Sequence, residues 1–396
     1  MHVRGDTLLL TLAVVFGVLQ AGYARERGPR VEVVCPWLPI PVEIASHQAL
    51  FYELHVTNFD KVPLTLSKLE TLADSEKSRP LASVSDDALR SMIQIVGSPG
   101  EATQTIDPGK RAVIFMKIEL GIGAEVPRVL RHRMIFLPGV SNDNPSAATV
   151  HRTVRAVLES FPVVVSHDSV PVLSSPFEDG VWVAGEGPSN DSGHRRALLA
   201  IEGHIHAPER FASDWVKVGP NGDSHRGTSH NEEFWAYGQS VLAVGDGEVI
   251  RAVDGIPDNA PRAQPAEITL DNILGNYIVL RIAPNRYVTY AHLQPGSIVV
   301  TPHQHVIRGN VIARLGNSGQ STAPHLHLQV TDGDSPLESE GVPFVFDAFL
   351  DLGPGSDYEL DKHSWVPRQN SLPPKNEVVE FNRRLRPPSR QSACPF

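Results

Sequence analysis

The chain has 396 residues, 41% hydrophobic and 20% charged, which is ordinary composition for a protein of two or three globular domains. Its formal net charge is −10, and no dense run of Lys and Arg appears before the last fifteen residues. The sequence therefore lacks the basic patch that is expected of a nucleic-acid-binding protein. Its 33 prolines and 31 glycines favour many short strands and turns over long helices.

The first residues have the layout of a secretory signal peptide. Arg4 precedes an apolar run from about Leu8 to Leu19, and a small-residue pattern ends at Ala24. We therefore expect residues 1–24 to be cleaved and the protein to be exported to the periplasm, the cell envelope or the extracellular space. No later segment reaches the ~18 uninterrupted apolar residues of a spanning helix, so no membrane span is expected after cleavage.

The chain contains two cysteines, Cys35 and Cys394, near opposite ends of the expected mature protein. In an oxidising compartment they could form one disulfide bond, although the sequence does not show that they meet. Two cysteines are too few for a cysteine-based zinc site.

Residues 25–170 have the texture of a strand-rich domain. The runs "ALFYELHVTNFDKVPLTLSKLETL", "RAVIFMKIEL" and "RHRMIFLPGV" alternate apolar and polar positions and are separated by turn residues. They predict an antiparallel, β-sandwich-like domain, in which "SVSDDALRSMIQIVG" has room for one or two helical turns. The histidines of this part lack ligand spacing and are expected to be surface or strand residues: His47, His55, His132 and His151.

Three further segments follow. Residues 171–198 are rich in Pro, Ser, Gly and Asp and are interpreted as a linker leading into the next domain. Residues 199–350 contain a second series of predicted strands with almost no helical periodicity. Residues 351–396 form a C-terminal tail, which is polar from about Ser356 and is expected to pack poorly.

Three features of residues 199–350 could carry chemistry. In "PHLHLQV", His325 and His327 are two positions apart, so a strand would place both imidazoles on one face. An isolated pair of this kind is more often an ordinary strand with a polar face. His292 ends the predicted strand "RYVTYAHL" where a loop begins. Asp214 lies inside the strand-like run "RFASDWVKVG", and a buried carboxylate there needs an ionic partner or a cation.

In this order, the aspartate, "YAHLQPGSI" and "GNSGQSTAPHLHLQV" resemble the M23 (lysostaphin-type) metallopeptidases, zinc endopeptidases that cut peptidoglycan cross-bridges. The resemblance spans roughly residues 200–335 and includes "YGQSVLAVGDGEV", "GNYIVL" and "VIRGNVIARLGNSG". It implies an all-β protein, with the β-sandwich-like domain followed by an M23-type antiparallel β-sheet peptidase domain. It also implies a peptidoglycan peptide or another peptide as substrate; the oligomeric state stays open.

The resemblance also implies a role for each matching residue. Asp214 and His327 would be two of three ligands of a tetrahedral Zn²⁺, with water in the open position. His292 and His325 would be the catalytic pair that handles protons and polarises the scissile carbonyl. Zinc would lower the pKa of its bound water toward ~7, so that hydroxide can attack the peptide.

The sequence departs from the family pattern at the first zinc ligand. The family usually has a histidine four residues before the aspartate, and here that position is Arg210, which has no free lone pair. His194 follows a Gly/Ser turn, resembles a variant branch of the family, and is the predicted first ligand. His204 and His206, in "GHIHAPERF", are alternatives, and the absence of any first ligand is a third. Two further histidines are expected in a solvated loop: His225 and His230.

Two classes of function remain open at this point. The first is an exported zinc metalloendopeptidase with a divergent first ligand, favoured by the retained Asp214, His292, His325 and His327. The second, favoured by Arg210, is a catalytically inactive M23-like module that binds cell-wall peptide or a partner protein. A lipoyl-like carrier is a weaker alternative, because "VIRGNVIARLG" displays no lysine in its turn.

Overall fold

The computed structural model describes residues 28–73, 79–98, 100, 102–139, 155–263, 267–355 and 365–381. The expected signal peptide, His151 and Cys394 lie outside these ranges. Within them the protein is nearly all β, as predicted, with two short helices, α1 (Asp86–Ser91) and α2 (Gly193–Arg196), and a 3-10 turn at Asn231–Glu233. No helix in the described part combines the length and the apolar character needed to cross a membrane.

The N-terminal part contains two antiparallel sheets. The first has the order β1-β3-β8-β6, with β2 also paired to β3. Its strands are β1 (Val31–Val34), β2 (Pro41–Ile44), β3 (His47–Asn58), β6 (Ile93–Ile95) and β8 (Arg111–Glu119). The second has the order β10-β9-β4-β5, with β7 on β4 and β11 on β9. Its strands are β4 (Leu64–Ala73), β5 (Ala82–Ser85), β7 (Thr105–Ile106), β9 (Val129–Pro138), β10 (Ala156–Glu159) and β11 (Val163–Val164).

Strand β3 is buried on both faces. Leu54 and Val56, on one face, share a core with the second sheet, including Leu66 of β4 and Phe136 of β9. Phe51, on the opposite face, belongs to the core of the C-terminal part of the chain. Because alternate residues of a strand point to opposite faces, β3 contributes to two cores at once.

The C-terminal part is organised around one large sheet with the order β12-β24-β26-β13-β16-β23-β20-β19-β18-β21, with β25 paired to β24. All its pairs are antiparallel except β12 with β24. Its strands are β12 (Val172–Leu173), β13 (Gly180–Gly185), β16 (Ser213–Val218), β18 (Gly247–Val253), β19 (Asn276–Ala283), β20 (Arg286–Leu293), β21 (His305–Val306), β23 (Leu326–Thr331), β24 (Val345–Pro354), β25 (Val366–Ser371) and β26 (Glu377–Phe381). Two separate two-stranded sheets pair β14 (Leu199–Ile201) with β15 (His204–His206), and β17 (Ser240–Leu242) with β22 (Val311–Arg314).

Two segments differ from their expected roles. The predicted linker supplies β13, a strand in the middle of the large sheet. The predicted tail supplies β25 and β26, and β26 lies between β13 and β24. Poor packing is therefore wrong for residues 366–381, where Val379 and Phe381 are fully buried. The domain boundaries themselves stay predictions.

Candidate metal centre

The centre is built on three neighbouring strands, β16, β23 and β20. Asp214 of β16 and His327 of β23 are direct cross-strand partners, which places their side chains on the same face. His327 Nδ1 lies 3.1 Å from Asp214 Oδ1. The two residues lie 113 positions apart in the sequence, and the sheet register alone brings them together.

A β-bulge brings His292 to the same place. On β20 strict alternation would send His292 to the face opposite Ala291, yet Ala291 is the cross-strand partner of His327. The β19–β20 register shifts next to His292, which has a positive φ of 61°. A bulge with left-handed backbone re-aims a side chain in this way. The His292 ring centroid therefore lies 4.7 Å from that of His325 and 5.9 Å from that of His327.

His194 enters from the short helix α2, outside the large sheet. Its Nε2 lies 3.4 Å from Asp214 Oδ2, and its ring is 4.8 Å from the His327 ring. His194, Asp214 and His327 each offer one ligand atom, and these atoms lie within 4.8 Å of one another. A tetrahedral Zn²⁺ with bonds of ~2.0–2.1 Å separates its ligand atoms by ~3.3 Å. The Asp214 carboxylate lies at about that spacing from both imidazoles, through Oδ2 to His194 and through Oδ1 to His327.

Each imidazole has a fixed tautomer, because its other nitrogen faces an atom that can only accept a hydrogen bond. Nδ1 donates to the Glu186 carbonyl in His194, at 3.2 Å, and to the Ser318 carbonyl in His292, at 2.8 Å. In His325, Nδ1 donates to the Ala323 carbonyl, at 2.8 Å. These three rings therefore carry their proton on Nδ1 and have a free lone pair on Nε2.

His327 has the opposite tautomer. Gln329 is fully buried, and its Nε2 donates to the Pro336 carbonyl at 2.8 Å, so its Oε1 must face the ring. The Oε1 lies 2.8 Å from His327 Nε2 and accepts that proton. The free lone pair of His327 is therefore on Nδ1, the atom nearest to Asp214.

The converging side chains could hold a cation. The second ring nitrogens of His194, His325 and His327 lie 3.4, 3.4 and 3.1 Å from one carboxylate, that of Asp214. Lone pairs facing a carboxylate at these distances repel unless positive charge lies between them. That charge is either an additional proton on an imidazole or a metal ion, and imidazole nitrogens with one carboxylate oxygen suit zinc.

The pKa values show the same attraction for positive charge. Burial raises the pKa of Asp214, but His325 and His194 outweigh burial and hold it well below its usual value. Burial lowers the pKa of His194, yet the Asp214 carboxylate raises it to about 9. The pKa of His325 is also raised, because Asp214 outweighs burial. Burial, together with the charges of His325 and His327, holds the pKa of His292 well below its usual value.

The centre lies in a cleft of about 600 Å³. Its walls combine apolar side chains with two glutamates and a hydroxyl-rich loop: Ala197, Leu199, Ile273, Leu274, Glu186, Glu209, Gln320, Ser321 and Thr322. The loop is anchored by the buried Asn317, whose Oδ1 accepts a hydrogen bond from Ser321 at 2.6 Å. A second anchor is the close approach of Gly319 and Gly275, where a Cβ on Gly319 would lie 2.2 Å from a backbone nitrogen.

The remaining candidates lie away from the centre. Arg210, at the position of the usual first ligand, points into a buried ion network with Glu53 and Glu340. His206 lies 3.3 Å from Glu340, and His204 is exposed at the start of β15. Two loop histidines are likewise outside the centre: His225, whose ring lies against Phe234, and His230, which is exposed.

Sequence reasoning did not identify the groups that orient the imidazoles. Gln329 could have been found, because it lies two residues after His327 and therefore on the same strand face. The backbone carbonyls of Glu186, Ser318 and Ala323 could not have been predicted, because every residue has a carbonyl whatever its side chain. Which side chains ligate and which transfer protons stays a prediction.

A cleft in which imidazoles and one carboxylate converge has the donor set found in zinc-dependent hydrolases. Residues 224–339 match the model of peptidase family M23. This part of the chain is therefore similar to the M23 peptidases. The matched range contains His292, His325 and His327, whereas His194 and Asp214 lie before it and are placed by geometry alone.

Three solved structures illustrate the similarity. The catalytic domain of lysostaphin from Staphylococcus simulans is 22% identical over 42% of this chain and 88% of that chain, with a TM-score of 0.23. A catalytic-domain variant of the prophage-encoded M23 protein EnpA from Enterococcus faecalis is 18% identical over 44% and 93%, with a TM-score of 0.25. A zinc-containing peptidase from Vibrio cholerae is 15% identical over 76% and 81%, with a TM-score of 0.22. The family assignment rests on the matched family model and the residues of the cleft.

Proposed function

We propose that the protein is an exported zinc metalloendopeptidase that hydrolyses peptide bonds, with peptidoglycan cross-links as its substrate. The observation that carries the proposal is the convergence of three imidazole nitrogens on the Asp214 carboxylate. Such a cluster needs positive charge between its members, and imidazole nitrogens with one carboxylate are a donor set that suits zinc. Export rests on the signal-peptide pattern, and the substrate class rests on the resemblance of the sequence to its family.

His194, Asp214 and His327 would hold the metal. When bound, Zn²⁺ supplies a Lewis acid and a water of lowered pKa. Gln329 keeps His327 in the tautomer that presents Nδ1, and the Glu186 carbonyl keeps His194 in the tautomer that presents Nε2. Such hydrogen bonds orient the ligands of a metal site and raise their basicity.

His292 and His325 would act on the peptide. Each is held through Nδ1–H by a backbone carbonyl, which leaves Nε2 free to exchange a proton. One of these nitrogens would return a proton to the leaving amine, and the other would donate a hydrogen bond to the carbonyl oxygen as it becomes an anion. The bulge at His292 costs backbone strain, and strain of this kind is concentrated at functional sites.

The test is metal analysis of the purified protein beside peptide release from purified sacculi. We expect one zinc per chain, lost in His194→Ala and His327→Ala and kept in the matched controls His204→Ala and His206→Ala. His325→Ala should keep the metal and lose peptide release. If the wild-type protein carries no stoichiometric zinc and releases no peptide, the alternative of an inactive module that binds peptide or a partner protein replaces this proposal.

A further inference from the structure

A buried ion network lies behind the metal centre. Glu53, Arg195 and Arg210 have exposed fractions of 1%, 0% and 4%. One Glu53 oxygen lies 3.2 Å from Arg195 Nη2, and the other accepts from Arg210 Nε and Nη2 at 2.9 Å. A single carboxylate from the N-terminal strand β3 therefore binds two arginines of the C-terminal part of the chain.

Arg195 connects Glu53 to the first candidate ligand, because it is the residue after His194. Its Nη2 also donates to the carbonyls of Tyr52 and Met116, at 3.0 and 2.9 Å. These carbonyls belong to the paired strands β3 and β8. The helix that carries both residues is only four residues long, and its N-cap residue makes no side-chain capping bond. It therefore depends on contacts from outside the helix, among them the bond from the Gly193 N–H to Glu186 Oε2.

Arg195 is a poor choice for stability alone. Within the described residues its Nε and Nη1 have no hydrogen-bond partner, although the side chain is completely buried. A buried charge with unsatisfied donors costs desolvation that an apolar side chain would avoid. Its presence beside His194 is therefore better explained by the position it fixes than by the energy it contributes.

Arg210 connects the same carboxylate to the second candidate ligand, because it lies four residues before Asp214. Its Nη1 donates to the Gly341 carbonyl and its Nη2 to Glu340, both at 2.9 Å. The arginine found where related sequences have a histidine thus fixes the start of β16. His194 and Asp214, which face each other at 3.4 Å, are both anchored to one carboxylate.

We propose that Glu53 is a positioning residue of the metal centre, and that the N-terminal domain is an integral part of that centre. Through Arg195 and Arg210 it sets the separation between His194 and Asp214. This inference rests on the proposed function. It also gives Arg210 a role: its ion pair with Glu53 anchors the chain on which Asp214 is carried, while His194 takes the ligand position.

The test compares variants of the full chain. Arg195→Met replaces the buried guanidinium with an apolar side chain of similar length and leaves Glu53 paired with Arg210, so it is designed to keep the fold. Glu53→Gln removes the shared charge and leaves two buried arginines with less compensation. Leu54→Val is the matched control, because Leu54 is buried on the opposite face of β3, in the core shared with the second sheet. Zn²⁺ affinity is measured by chelator competition, and site geometry by the visible absorption of the Co²⁺-substituted protein.

We expect Arg195→Met and Glu53→Gln to weaken Zn²⁺ binding by about tenfold, the low end of the effect of losing a group that orients a ligand. The Co²⁺ spectrum should change as well, because the separation of His194 and Asp214 is no longer fixed. Leu54→Val should lose stability but bind Zn²⁺ like the wild type. If Arg195→Met is folded and binds Zn²⁺ with wild-type affinity and spectrum, the inference is overturned while the proposed function stands. A wild-type protein without zinc overturns both.

Discussion

Replacing Gln329 with leucine tests whether one buried side-chain amide keeps His327 in the tautomer that can bind a metal ion. Gln329 is fully buried and joins His327 to Pro336 by two hydrogen bonds of 2.8 Å each. Leucine has a similar size but neither donor nor acceptor. The variant therefore leaves a buried N–H on His327 and a buried carbonyl on Pro336 without their partners.

The loss of stability is estimated from the two buried groups that lose their hydrogen-bond partners. Each unsatisfied buried group costs ~1–3 kcal/mol, so the free energy of unfolding should fall by ~2–6 kcal/mol. The effect on metal binding is separate, because His327 is then free to carry its proton on Nδ1, the atom that faces Asp214. Loss of an outer-shell partner of this kind lowers metal affinity by ~10–100-fold.

The assay is chelator competition for Zn²⁺ at pH 7, together with denaturant unfolding of the metal-free protein. Thr331→Val is the matched control, because Thr331 is fully buried on the same strand face and makes one hydrogen bond, at 2.9 Å, to Gly333. It should lose stability and keep its Zn²⁺ affinity. A folded Gln329→Leu protein that binds Zn²⁺ as tightly as Thr331→Val would refute the tautomer argument.

Two further predictions concern stability and pH. Burial lowers the pKa of His132, which is fully buried in β9, to about 4. Because the unfolded chain takes up that proton first, stability should fall by about 3 kcal/mol as the pH drops from 6.5 toward 4, and His132→Gln should flatten this part of a Tm-against-pH curve. Burial and the neighbouring Asp351 raise the pKa of Glu377 to about 8. The folded state then keeps a proton that the unfolded chain has released, so stability should fall as the pH rises toward 8, and Glu377→Gln should be flatter between pH 6.5 and 8. An unchanged slope in either variant contradicts the corresponding assignment.

Local sequence patterns were sufficient to predict the all-β class and the strand that carries His327. Alternation of apolar and polar residues reports which residues share a strand face, and the sequence of β23 follows it, whereas that of β16 does not. The same rule fails at His292, because a bulge cannot be read from alternation and it reverses the face on which the ring lies.

The first ligand position depends on contacts that no local pattern contains. His194, His204 and His206 lie within one short stretch, and only the large-scale path of the chain takes His194 to Asp214. The partner of Arg210, Glu53, is 157 residues away in the sequence. The prediction that the C-terminal tail packs poorly was wrong for residues 366–381. It was based on the polar residues at the start of the tail, which give no indication of the two strands that follow.

The position of β26 has a consequence for the order in which the protein can fold. Synthesis reaches β13 and β16 long before β26, yet β26 is the strand that pairs with β13 and β24. The edge of β13 therefore stays open until the ribosome has passed Phe381, and contacts of such long sequence separation form slowly. Asp214 lies on the neighbouring β16, so the sheet that carries the candidate centre is incomplete on that side until β26 has paired with β13. A chain truncated before β26 would leave this edge of β13 unpaired.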